Sequence, residues 1–168
     1  MGSIRLAVPG DTEAIRRIYN EEVLHGIATF DLHPMEAEAA ARLVAAHQPP
    51  LHPLIVMTAG EDIAGWGSLS PYRAKEAYRT TAELSVYVDG RHRREGVGSA
   101  LMAELLRMAR AAGKLHLIVS VITSGNEASE RLHRRFGFSF GGHMPECGKK
   151  FGRWLGTDTW YLQLESDG

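Results

Sequence analysis

A single cysteine, Cys147, stands in the 168 residues, so no disulfide can form within the chain and a cysteine-built zinc site is excluded. A surplus of one charge is also missing: 19 Lys and Arg against 20 Asp and Glu give a net of −1. The basic residues are therefore local clusters, not the general excess of a nucleic-acid binder, and no nucleic-acid partner is expected. No apolar run reaches the ~20 residues of a membrane span, and the first residues lack the basic-then-apolar layout of a secretion signal. A cytoplasmic protein with no membrane partner is the expectation. The 8 histidines are scattered from His25 to His143 without a His-x-x-x-His pair, so no metal is expected. Repeats, low-complexity segments and linkers are absent. What is there, 44% hydrophobic and 23% charged, suits one real core, and we expect one domain over 1–168.

Taken in order, Ile4, Leu6 and Val8 alternate as a strand, Pro9-Gly10-Asp11 punctuates, and Asp11 can cap a helix carrying Ile15, Ile18, Tyr19 and Val23 on one face. Met35, Ala39 and Leu43 mark a second helix that must stop before Pro49-Pro50. The apolar runs 54–58 and 63–69, split by Ala59-Gly60-Glu61-Asp62, read as a hairpin, and Gly65 and Gly67 inside the second run imply a close neighbour on its backbone. A basic, aromatic loop from Ser70 to Arg79 follows. Leu115 to Ile122 reads as a strand buried on both faces. Asn126 starts a short helix with Leu132 and Phe136 in its stripe, ended by Gly137. Phe138 and Phe140 make a brief strand broken by Gly141-Gly142, 144–155 reads as a long loop, and 159–164 as the last strand. Alternation of helices and strands argues an α/β or α+β layered domain around a mixed sheet.

The most informative stretch is Glu83-Leu84-Ser85-Val86-Tyr87-Val88, then Arg91 to Ser99, then a run with Val97, Leu101, Leu105, Met108 and Ala112 in one stripe, stopping at Gly113. It reads as strand, basic glycine loop and helix. A helix start offers unpartnered N–H groups and the positive end of the dipole, and glycines let a large anion approach. With Arg91, Arg93 and Arg94 beside it, this is a site for a phosphorylated ligand. A dinucleotide fingerprint fails, because Leu101 stands where the third glycine belongs and no acidic residue follows at Leu117-Ile118-Val119. The Gly-Lys-Ser/Thr ending of a nucleotide-triphosphate loop is absent too.

Arg93-x-x-Gly96-x-Gly98 resembles the Arg/Gln-x-x-Gly-x-Gly/Ala signature of the GCN5-related N-acetyltransferases (GNAT), and Asn126, Ala128 and Leu132-His133-Arg134-Arg135-Phe136-Gly137-Phe138 continue that pattern. Further segments are similar to the phosphinothricin and methionine-sulfoximine acetyltransferase branch. They are Ile18-Tyr19-Asn20, Ala28-Thr29-Phe30-Asp31, Gly65 to Arg73, Tyr78 to Glu83 with Ser85 to Val88, and Gly148-Lys149-Lys150-Phe151-Gly152-Arg153-Trp154-Leu155. The similarity spans Ile4 to Leu164. It implies a mixed, mostly antiparallel sheet of about six to seven strands flanked by helices. It also implies acetyl-CoA as co-substrate, a small amino-acid-like amine as acceptor, and a homodimer.

The residue roles are those the resemblance implies. Glu83 is the candidate base that frees the acceptor amine of its proton; the alternative is a strand carboxylate paired to an arginine such as Arg79. His133 stands where many relatives carry tyrosine, and is either the acid for the departing thiolate or a structural histidine. Val86, Tyr87 and Val88 would meet the thioester and pantetheine arm, and Arg94, Glu95, Gly96, Val97, Gly98 and Ser99 the pyrophosphate. Asn126 and Arg135 are further cofactor contacts, Asn126 alternatively a helix cap. Arg73, Ala74 and Lys75, with Glu83, Leu84 and Ser85, would line the acceptor side. The segment 149–154 would close over that side, or else be a solvated charge run anchored by Phe151 and Trp154. Cys147 reads as packing, since no activating pair is evident. Two alternatives stay open: the same chemistry on a drug, polyamine or protein N-terminus, and a silent acetyl-CoA-binding module.

Overall fold

The computed structural model describes residues 2–165. Seven strands form one sheet: β1 (Ile4–Leu6), β2 (Leu54–Ala59), β3 (Asp62–Pro71), β4 (Thr81–Val88), β5 (Leu117–Thr123), β6 (Ser139–Lys150) and β7 (Arg153–Gln163). Their order across the sheet is β1-β2-β3-β4-β5-β7-β6. Only β4 and β5 run parallel; the other neighbours are antiparallel. The helices are α1 (Thr12–His25), α2 (Ala37–Ala46), α3 (Val97–Ala112) and α4 (Glu127–Arg135). This is the expected layered architecture.

Two cores sit on opposite faces of the sheet. Ile15, Ile18, Tyr19 and Val23 of α1 pack with Val44, Val56, Ile63 and Trp66 on one face. On the other, Val97, Leu101, Met102, Leu105, Leu106 and Ala109 of α3 pack with Ile55, Leu69, Leu84, Ile118 and Trp160. The α3 stripe is wider than its heptad-like spacing suggests, because it also rests on β3. A Cβ on Gly65 would come within 2.8 Å of Val97, and one on Gly67 within 3.0 Å of Leu105. The two glycines thus let a helix lie directly on the strand, as their place in the run implies.

Several sequence expectations need correction. The stretch 144–155 is not a loop: β6 and β7 form a long hairpin, and the Gly141-Gly142 break is absorbed as a register shift between Phe140 and Gly142. Phe151 and Trp154 are 54% and 61% exposed, so neither anchors that segment in the core. Val121 is 46% exposed, so β5 is not buried on both faces throughout. Asp11 does not cap α1 with its side chain; it holds Arg5 at 2.7 Å and accepts from the Val8 amide. Cys147 is exposed, not packed.

Candidate active site

The β4–β5 ladder is short. Thr81, Ala82 and Glu83 pair with Leu117, Ile118 and Val119, and pairing stops there. Beyond Glu83, β4 stays with β3 as far as Val88, and β5 stays with β7 as far as Thr123. The strands therefore splay, and the facing edge of each carries backbone groups that no neighbouring strand satisfies. A cleft of about 1020 Å³ fills the wedge, lined by Leu84 to Val88 on one side and Ser120 to Thr123 on the other. Ser120 Oγ donates to the Leu84 carbonyl at 3.4 Å, bridging its narrow end.

The glycine loop closes the wide end. Arg94 (φ 66°) and Gly96 (φ 81°) both take the left-handed conformation, either side of Glu95, which curls the loop into the start of α3. Successive turns of this kind aim backbone N–H groups into a concavity that suits an anion. A Cβ on Gly98 would meet only Leu132 and Val88 at 3.5 and 3.7 Å. Packing alone does not demand glycine there; the bare backbone leaves the loop surface low where a ligand would lie. Of the three arginines read as phosphate partners, Arg91 is paired with Asp89 and Asp62, and Arg93 with Glu22. Arg94 lines the cleft and makes no ion pair among the described residues. Asp89 is 4% exposed and accepts from the Arg91 amide, the Arg91 guanidinium and Arg17, which hold its carboxyl far below the usual range.

Most expected cofactor contacts converge on the cleft: Val86, Tyr87, Val88, Arg94, Gly96, Val97, Gly98, Ser99, Asn126 and Arg135 line it. Glu95 does not; its carboxylate turns to His92 Nδ1 at 2.9 Å. Asn126 is a helix cap and a cleft residue at once, since its Oδ1 accepts from the Ser129 amide while its amide hydrogens stay available. Leu84 and Ser85 line the cleft, whereas Arg73, Ala74 and Lys75 sit on an exposed loop outside it. Arg73 stacks over Tyr72 and Tyr78 at 4.9 and 5.7 Å, so its guanidinium keeps its edge free for an anion.

Glu83 is the last residue of β4 paired with β5 and is not among the residues lining the cleft, which on this strand begin at Leu84; burial raises its carboxyl pKa. The Arg79 alternative fails, because Arg79 reaches Glu76 instead, at 3.4 Å. His133 is 5% exposed. Its Nδ1 lies 2.7 Å from the Ser129 carbonyl, which only accepts, so Nδ1 carries the proton. Nε2 is then an acceptor; it is enclosed with no partner, and burial lowers the ring pKa. The ring packs edge-on against Phe138.

Other cleft residues escaped the sequence reading: Ser120 and Thr123 of β5, and Gly26, Ile27 and Ala28 after α1. The signal for β5 was two hydroxyls inside an otherwise apolar run. Among the described residues no cluster of His, Cys, Asp or Glu could hold a metal ion, and no helix is long and apolar enough to cross a membrane.

Comparison with known proteins matches residues 12–138 to the acetyltransferase (GNAT) family. An L-methionine sulfoximine/L-methionine sulfone acetyltransferase of Salmonella typhimurium is 37% identical over 165 residues, covering 98% of this chain and 95% of that protein. A phosphinothricin N-acetyltransferase of Streptomyces coelicolor is 39% identical over 161 residues, covering 94% and 93%. A Salmonella typhimurium structure with its cofactor acetyl-CoA superposes with a TM-score of 0.94 at 35% identity, covering 100% of this chain and 96% of that one.

Proposed function

The chain belongs to the acetyltransferase (GNAT) family, and on that premise we propose that it acetylates the α-amino group of a small amino-acid analogue. Methionine sulfoximine, methionine sulfone and phosphinothricin are the acceptors its full-length relatives are named for. The observation that carries the reading is the end of β4–β5 pairing at Glu83, a partly desolvated carboxylate one residue before the stretch of β4 that lines a cleft suited to a long phosphorylated ligand.

Bound acetyl-CoA supplies a thioester whose acyl carbon forms the new C–N bond as its C–S bond breaks and the thiolate departs. The chain's part begins with the acceptor, which arrives as an ammonium ion and cannot attack until it loses a proton. Glu83, its pKa raised toward neutrality by burial, takes that proton directly or through water. The unpaired edge of β4 at Val86 to Val88 offers amides to the oxygen that gains negative charge. The loop from Arg94 to Ser99 holds the pyrophosphate, and Asn126 and Arg135 steady the arm. Arg73 and Lys75 receive the acceptor's carboxylate as it docks against Ser85. His133, neutral with its proton on Nδ1, has none on Nε2 to donate; its place is the wall of the cleft, and the thiolate takes its proton from solvent or from the amine.

A homodimer is the assembly that the resemblance implies. We assign it to the sheet face of β5, β7 and β6, where Val121, Met144 and Tyr161 are 46%, 59% and 39% exposed. A cytoplasmic location completes the reading.

A thiol-release assay tests the acceptor assignment. Turnover on methionine sulfoximine, the sulfone or phosphinothricin is the expected result. Reaction with polyamines or peptides alone would move the acceptor class, and acetyl-CoA binding without turnover on any amine would make the protein a binding module.

A further inference from the structure

Lys150, at the tip of β6, is a buried cation that the reaction does not use. It is 3% exposed, yet its Nζ meets no carboxylate; it donates to two backbone carbonyls, Glu22 at 3.0 Å and Thr29 at 2.9 Å. Burial lowers its pKa, opposed by the nearby charges of Glu22 and Asp31. A buried lysine whose ammonium touches no carboxylate is costly unless its hydrogen bonds matter.

Those bonds fasten one short segment. Residues 26–31 follow α1, and Gly26, Ile27 and Ala28 form a wall of the cleft. The segment carries no helix or strand of its own, so its position depends on side-chain ties. Thr123 Oγ1 donates to the Ile27 carbonyl. Tyr19 Oη joins Thr29 Oγ1 at 2.8 Å and the Asp31 carboxylate. One edge of the Phe30 ring lies against Gly148, where a Cβ would come within 2.4 Å of it. Lys150 and Gly148 are thus the contribution of the β6–β7 hairpin to this wall.

The face of the sheet decides which ligand the wall serves. The alternation of β4 sends Leu84 towards α3, the side of the glycine loop, and sends Tyr87 into the cluster of Tyr19 and Trp66 under α1. Glu83 shares the parity of Tyr87 and so faces α1 and the segment that follows it. An amine that Glu83 deprotonates must come in on that face.

We infer that Lys150 is a positioning residue that braces segment 26–31 as the wall against which the acceptor, and not the cofactor, is seated. This rests on the acceptor side proposed above. The test is Lys150→Met in the full chain, read by acceptor KM, acetyl-CoA Kd and amide hydrogen exchange. The expected result is an acceptor KM raised at least tenfold, an acetyl-CoA Kd within about threefold of wild type, and faster exchange confined to 26–31. An acceptor KM within twofold of wild type, or a Kd that rises in step with KM, overturns it. Should Lys150→Met fail to fold, Gly148→Ala displaces Phe30 from the other contact and must give the same split. Should the wild-type chain turn over none of the proposed acceptors, that failure belongs to the acceptor reading, and exchange decides this one. Unchanged exchange over 26–31 then overturns the brace, and faster exchange confined there supports it.

Discussion

Glu83 and His133 are two titratable groups moved by the same force in opposite directions. Burial disfavours the charged form of each, so the carboxyl pKa of Glu83 rises and the imidazole pKa of His133 falls. For a base the shift brings the proton affinity closer to that of an amine in solution. For a histidine it removes the proton that an acid would give. The sign can be worked through for His133: the unfolded ring protonates near its ordinary ~6.5, the folded ring only at lower pH. Its contribution to stability is therefore complete above ~6.5 and is lost as pH falls below it. Nitrogen NMR of the ring at pH 7 should show a neutral imidazole with the proton on Nδ1; a charged ring at that pH would contradict the assignment. The sequence showed both residues as candidates but gave no ground for choosing between an acid and a structural histidine. That choice depends on the Ser129 carbonyl one helical turn away.

At the scale of elements, the turn before the glycine loop is held by Asp89. Its carboxyl, kept low chiefly by Arg91, stabilises the fold fully above about pH 4, and that contribution is lost as pH falls further. Asp89→Asn should cost about 1–3 kcal/mol in denaturant unfolding and raise the KM for acetyl-CoA several-fold with kcat nearly unchanged. An unaltered KM would mean that the turn does not position the loop. The loop and α3 were legible because glycine placement and a 3.6-residue stripe are local signals. The β6–β7 hairpin was not. Gly141, Gly142, Pro145 and Gly148 break its alternation, and the pairing accommodates them with register shifts at Phe140/Gly142 and Met144/Gly148. Both its faces are largely solvated, so no buried stripe marked it. Only the long partner strand reveals it.

At the scale of the molecule, the family and the layered sheet, with a strand that splays as the resemblance implies, could be read from ordered motifs, but the extent of the wedge could not. Its opening depends on how many residues of two parallel strands pair, a property of strands some thirty residues apart that no local pattern encodes. The same reason hid Ser120, Thr123 and segment 26–28 from the sequence reading. The exposed face at Val121, Met144 and Tyr161 should be covered by a second copy. Sedimentation should find a dimer that Val121→Glu with Tyr161→Glu converts to monomer, and a monomeric wild-type protein would contradict this. The central claim is that Glu83, at the point where β4 and β5 part, deprotonates an amine brought to acetyl-CoA in the cleft. The most direct test is the pH dependence of acetyl transfer to methionine sulfoximine by the wild-type protein and Glu83→Gln, with acetyl-CoA binding measured alongside. The account expects kcat/KM to fall about 100-fold or more and the acidic limb of the profile to change, with acetyl-CoA Kd held within about twofold. An unchanged pH–rate profile would contradict it.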